Sequence, residues 1–121
     1  MTWRYQQSTG KLFNPRGEWI GTGYSGAGPA LNNPADEAVV GHGPIPAGAW
    51  TIGPAETLPV LGPLAMPLMP VGFVPHGRSG FFIHGDNAEE NHTASCGCIV
   101  LQRADRQQIA ASADTSLEVF P

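Results

Sequence analysis

Glycine or proline occupies 28 of the 121 positions, 16 glycines and 12 prolines. Proline has no backbone N–H, and glycine loses more freedom than any other residue when fixed in a helix. A chain punctuated this often leaves little room for long helices and favours short strands joined by turns. The glycines show no three-residue period, which excludes a collagen-like fibre. Hydrophobic residues make up 41% of the chain, too many for a disordered polar tract. Its length suits one domain with a real core. No internal repeat or linker is visible, so residues 1–121 read as a single compact domain.

Local patterns give the elements. Residues 3–7 alternate apolar and polar, as a half-buried strand should. Ser8-Thr9-Gly10 is a turn, Lys11–Phe13 the returning strand, and Asn14-Pro15-Arg16-Gly17 a second turn. Residues 18–24 read as a third strand, completing a meander. Asn33 is placed to cap one short helical turn with Pro34 at its first position. Gly43-Pro44-Ile45-Pro46-Ala47-Gly48 is a rigid turn before a strand at 49–52. Residues 58–75 carry regularly spaced prolines and read as extended chain with edge-strand character. Strands are expected at 79–84, 99–101 and 117–120, and one helix at 105–113. The fold class is mainly β with one short helix.

Charge excludes several functions. Six basic against ten acidic residues give a net charge of −4. Nucleic-acid binding needs a basic face, and holding anionic lipid needs a lysine or arginine run; the chain has neither. Four prolines and two glycines interrupt the most apolar stretch, residues 58–74, so no membrane-spanning helix forms there. The sequence Met1-Thr2-Trp3-Arg4-Tyr5 carries no apolar signal segment. The expectation is a protein made in the cytoplasm, which stays there or leaves by a route that reads no such signal.

The chemistry concentrates in His84-Gly85-Asp86-Asn87 and Ser95-Cys96-Gly97-Cys98-Ile99. A histidine ends one apolar strand and a cysteine opens the next. A returning loop can bring the two side chains together across adjacent strands. A thiol becomes a strong nucleophile when a neighbouring imidazole takes its proton. Gly97 lets a substrate approach the backbone, and the amides of Gly97 and Cys98 could face a developing oxyanion. These are the parts of a cysteine–histidine acyl-transfer site. For an arbitrary cysteine and histidine the plainer reading is a small buried hydrophobe and a structural imidazole.

Ile83-His84-Gly85 with Ser95-x-Gly97-Cys98-Ile99 resembles the signature of the YkuD-like L,D-transpeptidases. The segment from Gly43 to Ile52 resembles their Thr-Pro-x-Gly-x-aromatic stretch. The whole chain is similar to the L,D-transpeptidase-like effectors of type VI secretion. That likeness is carried by residues 3–10, Gly23-Tyr24-Ser25-Gly26, Asn32-Asn33-Pro34 and Ile83-His84-Gly85-Asp86. It implies a β-sandwich or barrel domain acting on peptidoglycan stem peptides as a monomer, without cofactor or metal. Cys98 would be the nucleophile, His84 the general base and Gly85 the carbonyl that orients the imidazole. Ser95 would order the turn or contact substrate. Export by type VI secretion to a target-cell periplasm, a secretion carrier and an immunity protein follow from the same likeness. Three departures bear on substrate contacts: Cys96 where a histidine usually stands, Val100 where many members are polar, and a short interval between His84 and Cys98.

Other residues admit two readings. Arg78, six positions before His84 and so on the same face of an extended strand, suits a stem-peptide carboxylate by bidentate recognition; otherwise it is a solvated surface arginine or a partner for Asp86. Asp86 is a substrate contact or a partner for Arg78 or His92. Cys96 is inert or forms a strained, reducible ring with Cys98. The aromatics Trp3, Trp19, Trp50, Phe81 and Phe82 read as core. Two alternatives stand beside the enzyme. One is a wall-binding domain without catalysis. The other is a zinc module drawing on His84, Asp86, His92, Cys96 and Cys98.

Overall fold

The computed structural model describes residues 1–59, 61–86 and 97–121. The strands in chain order are β1 (Thr2–Gln6), β2 (Lys11–Phe13), β3 (Trp19–Thr22), β4 (Tyr24–Ser25), β5 (Gly48–Ile52), β6 (Glu56–Leu58), β7 (Gly62–Pro70), β8 (Phe82–His84), β9 (Ile99–Val100) and β10 (Ser116–Phe120). One helix, α1 (Arg103–Ala111), lies between β9 and β10. The fold is mainly β, and its strands run as a single open mixed sheet. Their order is β3-β2-β1-β10-β5-β7-β8-β9-β4, with β6 on β7. The parallel pairs are β1 with β10 and β8 with β9.

Alternation builds the core. β1 and β10 bury every second residue, placing Trp3, Tyr5, Leu117 and Val119 inside. Trp50 is buried with Phe81 edge-on at 5.0 Å between ring centres and Phe73 at 5.5 Å. Its indole N–H donates to the Pro46 carbonyl at 3.1 Å, so the ring is satisfied as well as packed. Ile83 and Ile99, opposite each other across β8 and β9, extend this core under the candidate site.

Most expected elements are present, and four readings change. The proline-spaced segment is an interior strand: β7 pairs with β5 and β6 on one side and β8 on the other. Pro63 and Pro70 sit near its ends, and the Pro67 carbonyl still accepts from Gly53 N–H at 2.7 Å. A strand tolerates proline where the missing donor is not needed. Residues 18–24 divide, because β4 leaves the meander and pairs with β9 instead. β8 is only Phe82–His84, since glycines 77 and 80 take positive φ before it. Trp19 is 62% exposed, not core, because β3 is an outer strand of the sheet. Its indole N–H is held by the Gly21 carbonyl at 3.0 Å. The Asn33 cap forms as read, its side chain accepting from Ala35 N–H at the turn Pro34–Asp36.

Candidate active site

β8 and β9 are adjacent and parallel, with Ile83 opposite Ile99 and His84 opposite Val100. β4 continues the row, with Tyr24 opposite Val100 and Ser25 opposite Ile99. Side chains alternate across a sheet, so the three strands share two faces. Ile83, Ile99 and Ser25 point to the core side. His84, Val100 and Tyr24 point to the other.

His84 is 3% exposed. Its Nδ1 lies 2.7 Å from the Gly85 carbonyl oxygen. A carbonyl only accepts, so Nδ1 carries the proton and Nε2 keeps the lone pair. Burial is the main cause that pushes the imidazole below the ordinary histidine range; the Arg106 charge adds to it, while the Gly85 carbonyl and Asp86 oppose it. Burial thus favours the neutral imidazole, the form able to accept a proton.

Cys98 sits one residue before β9 and is half-buried, its Sγ 3.6 Å from the Gly80 carbonyl. Gly97 before it has φ of 128°, and a Cβ there would collide with the Arg78 guanidinium. Only glycine fits that position. The Gly97 carbonyl accepts from Ser25 Oγ at 3.2 Å, and the same Oγ accepts from Ile45 N–H at 2.8 Å. One buried hydroxyl thus ties the cysteine turn to the Gly43–Gly48 turn.

Arg78 belongs to the loop before β8, so the strand period that would align it with His84 does not apply. Its guanidinium is buried and donates to three carbonyls: Pro44 at 2.9 Å, Gly43 at 2.9 Å, and Glu37. Burial lowers its affinity for its proton, and attraction to Cys98 and Glu37 works against that. Glu37 in turn binds His76 Nε2 at 2.7 Å and Gln7 Nε2 at 3.0 Å. Burial pushes the Glu37 carboxyl up, but hydrogen bonds from Gln7, His76 and Ala47 outweigh it and hold the group below the usual carboxylate range. Asp86 accepts from Tyr24 OH at 2.7 Å. Ser95, Cys96 and His92 lie outside the described residues. Among the described residues no three of His, Cys, Asp and Glu converge as metal ligands.

Sequence reasoning passed over Tyr24, Ser25 and Arg106. Tyr24 and Ser25 stand in the glycine-flanked Gly23-Tyr24-Ser25-Gly26 segment, whose flanks signal a close approach. Arg106 is an ordinary helix residue in the sequence, with no local signal. It is buried against Gly85, where a Cβ would lie 2.7 Å from its Nη2.

A family model described as the Tlde1 domain matches residues 20–119 of the chain. That span holds most of β3 through most of β10, and with them Tyr24, Ser25, Arg78, His84, Gly85, Gly97 and Cys98. No curated protein matches the chain.

Proposed function

The chain belongs to the Tlde1 domain family, type VI secretion effectors with peptidoglycan-related activity, and from that premise we propose that it is an L,D-acyl-transfer enzyme with a cysteine nucleophile. The observation that carries this is the pairing of His84 with Val100 across β8 and β9. Cys98 immediately precedes β9, so the pairing of β9 with β8 brings the cysteine turn alongside the strand that ends in His84. The Gly85 carbonyl holds Nδ1–H, which leaves Nε2 as the base.

In this reading Cys98 gives its proton to His84 Nε2. The thiolate attacks the carbonyl of the L-centre that precedes a terminal D-alanine. Attraction between Arg78 and Cys98 favours the negative sulfur. The Gly97 and Cys98 amides are assigned to the tetrahedral oxyanion. The C–N bond then breaks, and the leaving amine takes the proton from His84, which gives a thioester and free D-alanine. Water or a second amine, deprotonated by His84, attacks the thioester and returns the proton to sulfur. Water leaves a tripeptide stem; an amine leaves an exchanged or cross-linked one. Ser95 and Asp86 are assigned to ordering the turn and the substrate. Arg78, bound to three carbonyls, is assigned to holding the wall of the site. Delivery to a target-cell periplasm, with a carrier and an immunity protein, completes the proposal.

Mass spectrometry of purified muropeptides tests it. The wild-type chain should remove or exchange the terminal alanine of tetrapeptide stems. Cys98→Ala and His84→Ala should leave stems unchanged while keeping the wild-type circular dichroism spectrum. Unchanged stems with folded, reduced wild-type protein and added D-amino acid would overturn the assignment.

A further inference from the structure

A cavity of about 570 Å³ lies beyond Gly85 and is not used by the reaction above. The start of α1 lines it with Gln102, Arg103 and Arg106, together with Thr22, Tyr24 and Asp86. Arg106 is only 7% exposed. Its Nε donates to the Leu101 carbonyl at 3.1 Å and its Nη1 to the Pro63 carbonyl at 2.7 Å. Both acceptors are neutral. Among the described residues no carboxylate forms an ion pair with Arg106, and its Nη2 has no acceptor. Arg103 stands beside it with the same charge. The side chain of Gln102 makes no cap bond to the first turn of α1, so the positive end of the helix dipole adds to both cations.

A buried guanidinium with a like charge beside it and only neutral acceptors among the described residues is costly. The cost falls if the cavity takes an anion. The planar fork of arginine suits a carboxylate. Gly85, which lines the cavity, is also the residue whose carbonyl holds His84 Nδ1.

We propose that this cavity is a carboxylate subsite, in which Arg106 and Arg103 bind the carboxylate of an amino acid or of a peptide C-terminus. Its role in turnover rests on the acyl-transfer reading; binding itself does not. A free amino acid held here would be the acceptor amine. A peptide terminus held here would be the donor stem. Tyr24 holds the Asp86 carboxylate, which also lines the cavity and can meet the ammonium group of a free amino acid or accept from the amide N–H of an acylated one.

The test reads binding without turnover, in full-length Cys98→Ala protein. Amide chemical shifts are followed by NMR while adding D-alanine, N-acetyl-D-alanine or N-acetyl-D-alaninamide. The carboxylate probes should shift Gly85, Asp86, Gln102 and Arg103 saturably, and the neutral amide should not. Arg103→Gln should weaken binding about fivefold, as for a partly exposed ion pair. Arg106→Gln should weaken it more. Stronger binding of D-alanine identifies an acceptor site, and stronger binding of the acetylated probe a donor site. Equal titration by the amide, or unchanged affinity in folded Arg103→Gln, overturns the proposal. Arg106 also holds two carbonyls, so if Arg106→Gln fails to fold, Arg103→Gln and the amide control still decide. Muropeptide turnover is a separate readout, so carboxylate binding can hold while the enzyme assignment fails, and the reverse.

Discussion

Ser25→Ala is the sharpest test of how the site is held. The Ser25 hydroxyl is fully buried between two turns. It accepts from Ile45 N–H at 2.8 Å and donates to the Gly97 carbonyl at 3.2 Å. Alanine keeps the backbone and the shape but removes both bonds. A buried N–H stranded at Ile45 costs about 1–3 kcal/mol, and the lost link to Gly97 about 1 kcal/mol more. The total of about 2–4 kcal/mol is a large share of a small domain's stability. At this chain length it corresponds to a Tm lower by about 8–16 °C. The assay is thermal unfolding by circular dichroism, with urea unfolding to check that the m-value is unchanged. Muropeptide turnover should fall as well, because Gly97 is released beside Cys98. An unchanged Tm would refute the reasoning, since it would mean that the hydroxyl neither satisfies Ile45 nor braces the cysteine turn.

Gly97→Ala should lose turnover and about 1–3 kcal/mol of stability, because φ of 128° strains any Cβ and the methyl displaces Arg78; urea midpoints beside activity check it. The acid limb of kcat/KM should lie below pH 6.5, because the lowered affinity of His84 keeps the imidazole neutral there. Arg106→Gln removes one cause of that lowering and should move the limb to higher pH in a pH–rate profile. Asp105 is buried with Oδ2 unpartnered among the described residues, and burial raises its carboxyl above the usual range. The folded state then holds that proton more tightly than the unfolded one. Stability should fall as pH rises from about 4 through the folded pKa, and Asp105→Asn should abolish this slope in Tm against pH.

Much of the fold was legible because it is local. The alternation in residues 3–7, the Ser8-Thr9-Gly10 turn and the Asn33 cap each depend on a few neighbouring residues, and each forms near its expected place. Trp19 misled because a tryptophan signals burial only where something covers its strand, and β3 is an outer one. The prolines of β7 misled because edge placement is a question of which N–H groups are needed, which sheet order settles.

The site divides the same way. The sequence alone determined that a histidine would end one strand and a glycine–cysteine pair open the next, since residue type and the two-residue period suffice for that. Only the tertiary structure decided that those strands would lie parallel, with His84 opposite Val100 and Tyr24 on the far side. It alone turned Arg78 onto three carbonyls and brought Arg106 against Gly85. Those partners stand 21 or more positions apart in the chain. No local pattern encodes such contacts, because they exist only after the sheet has closed the distance.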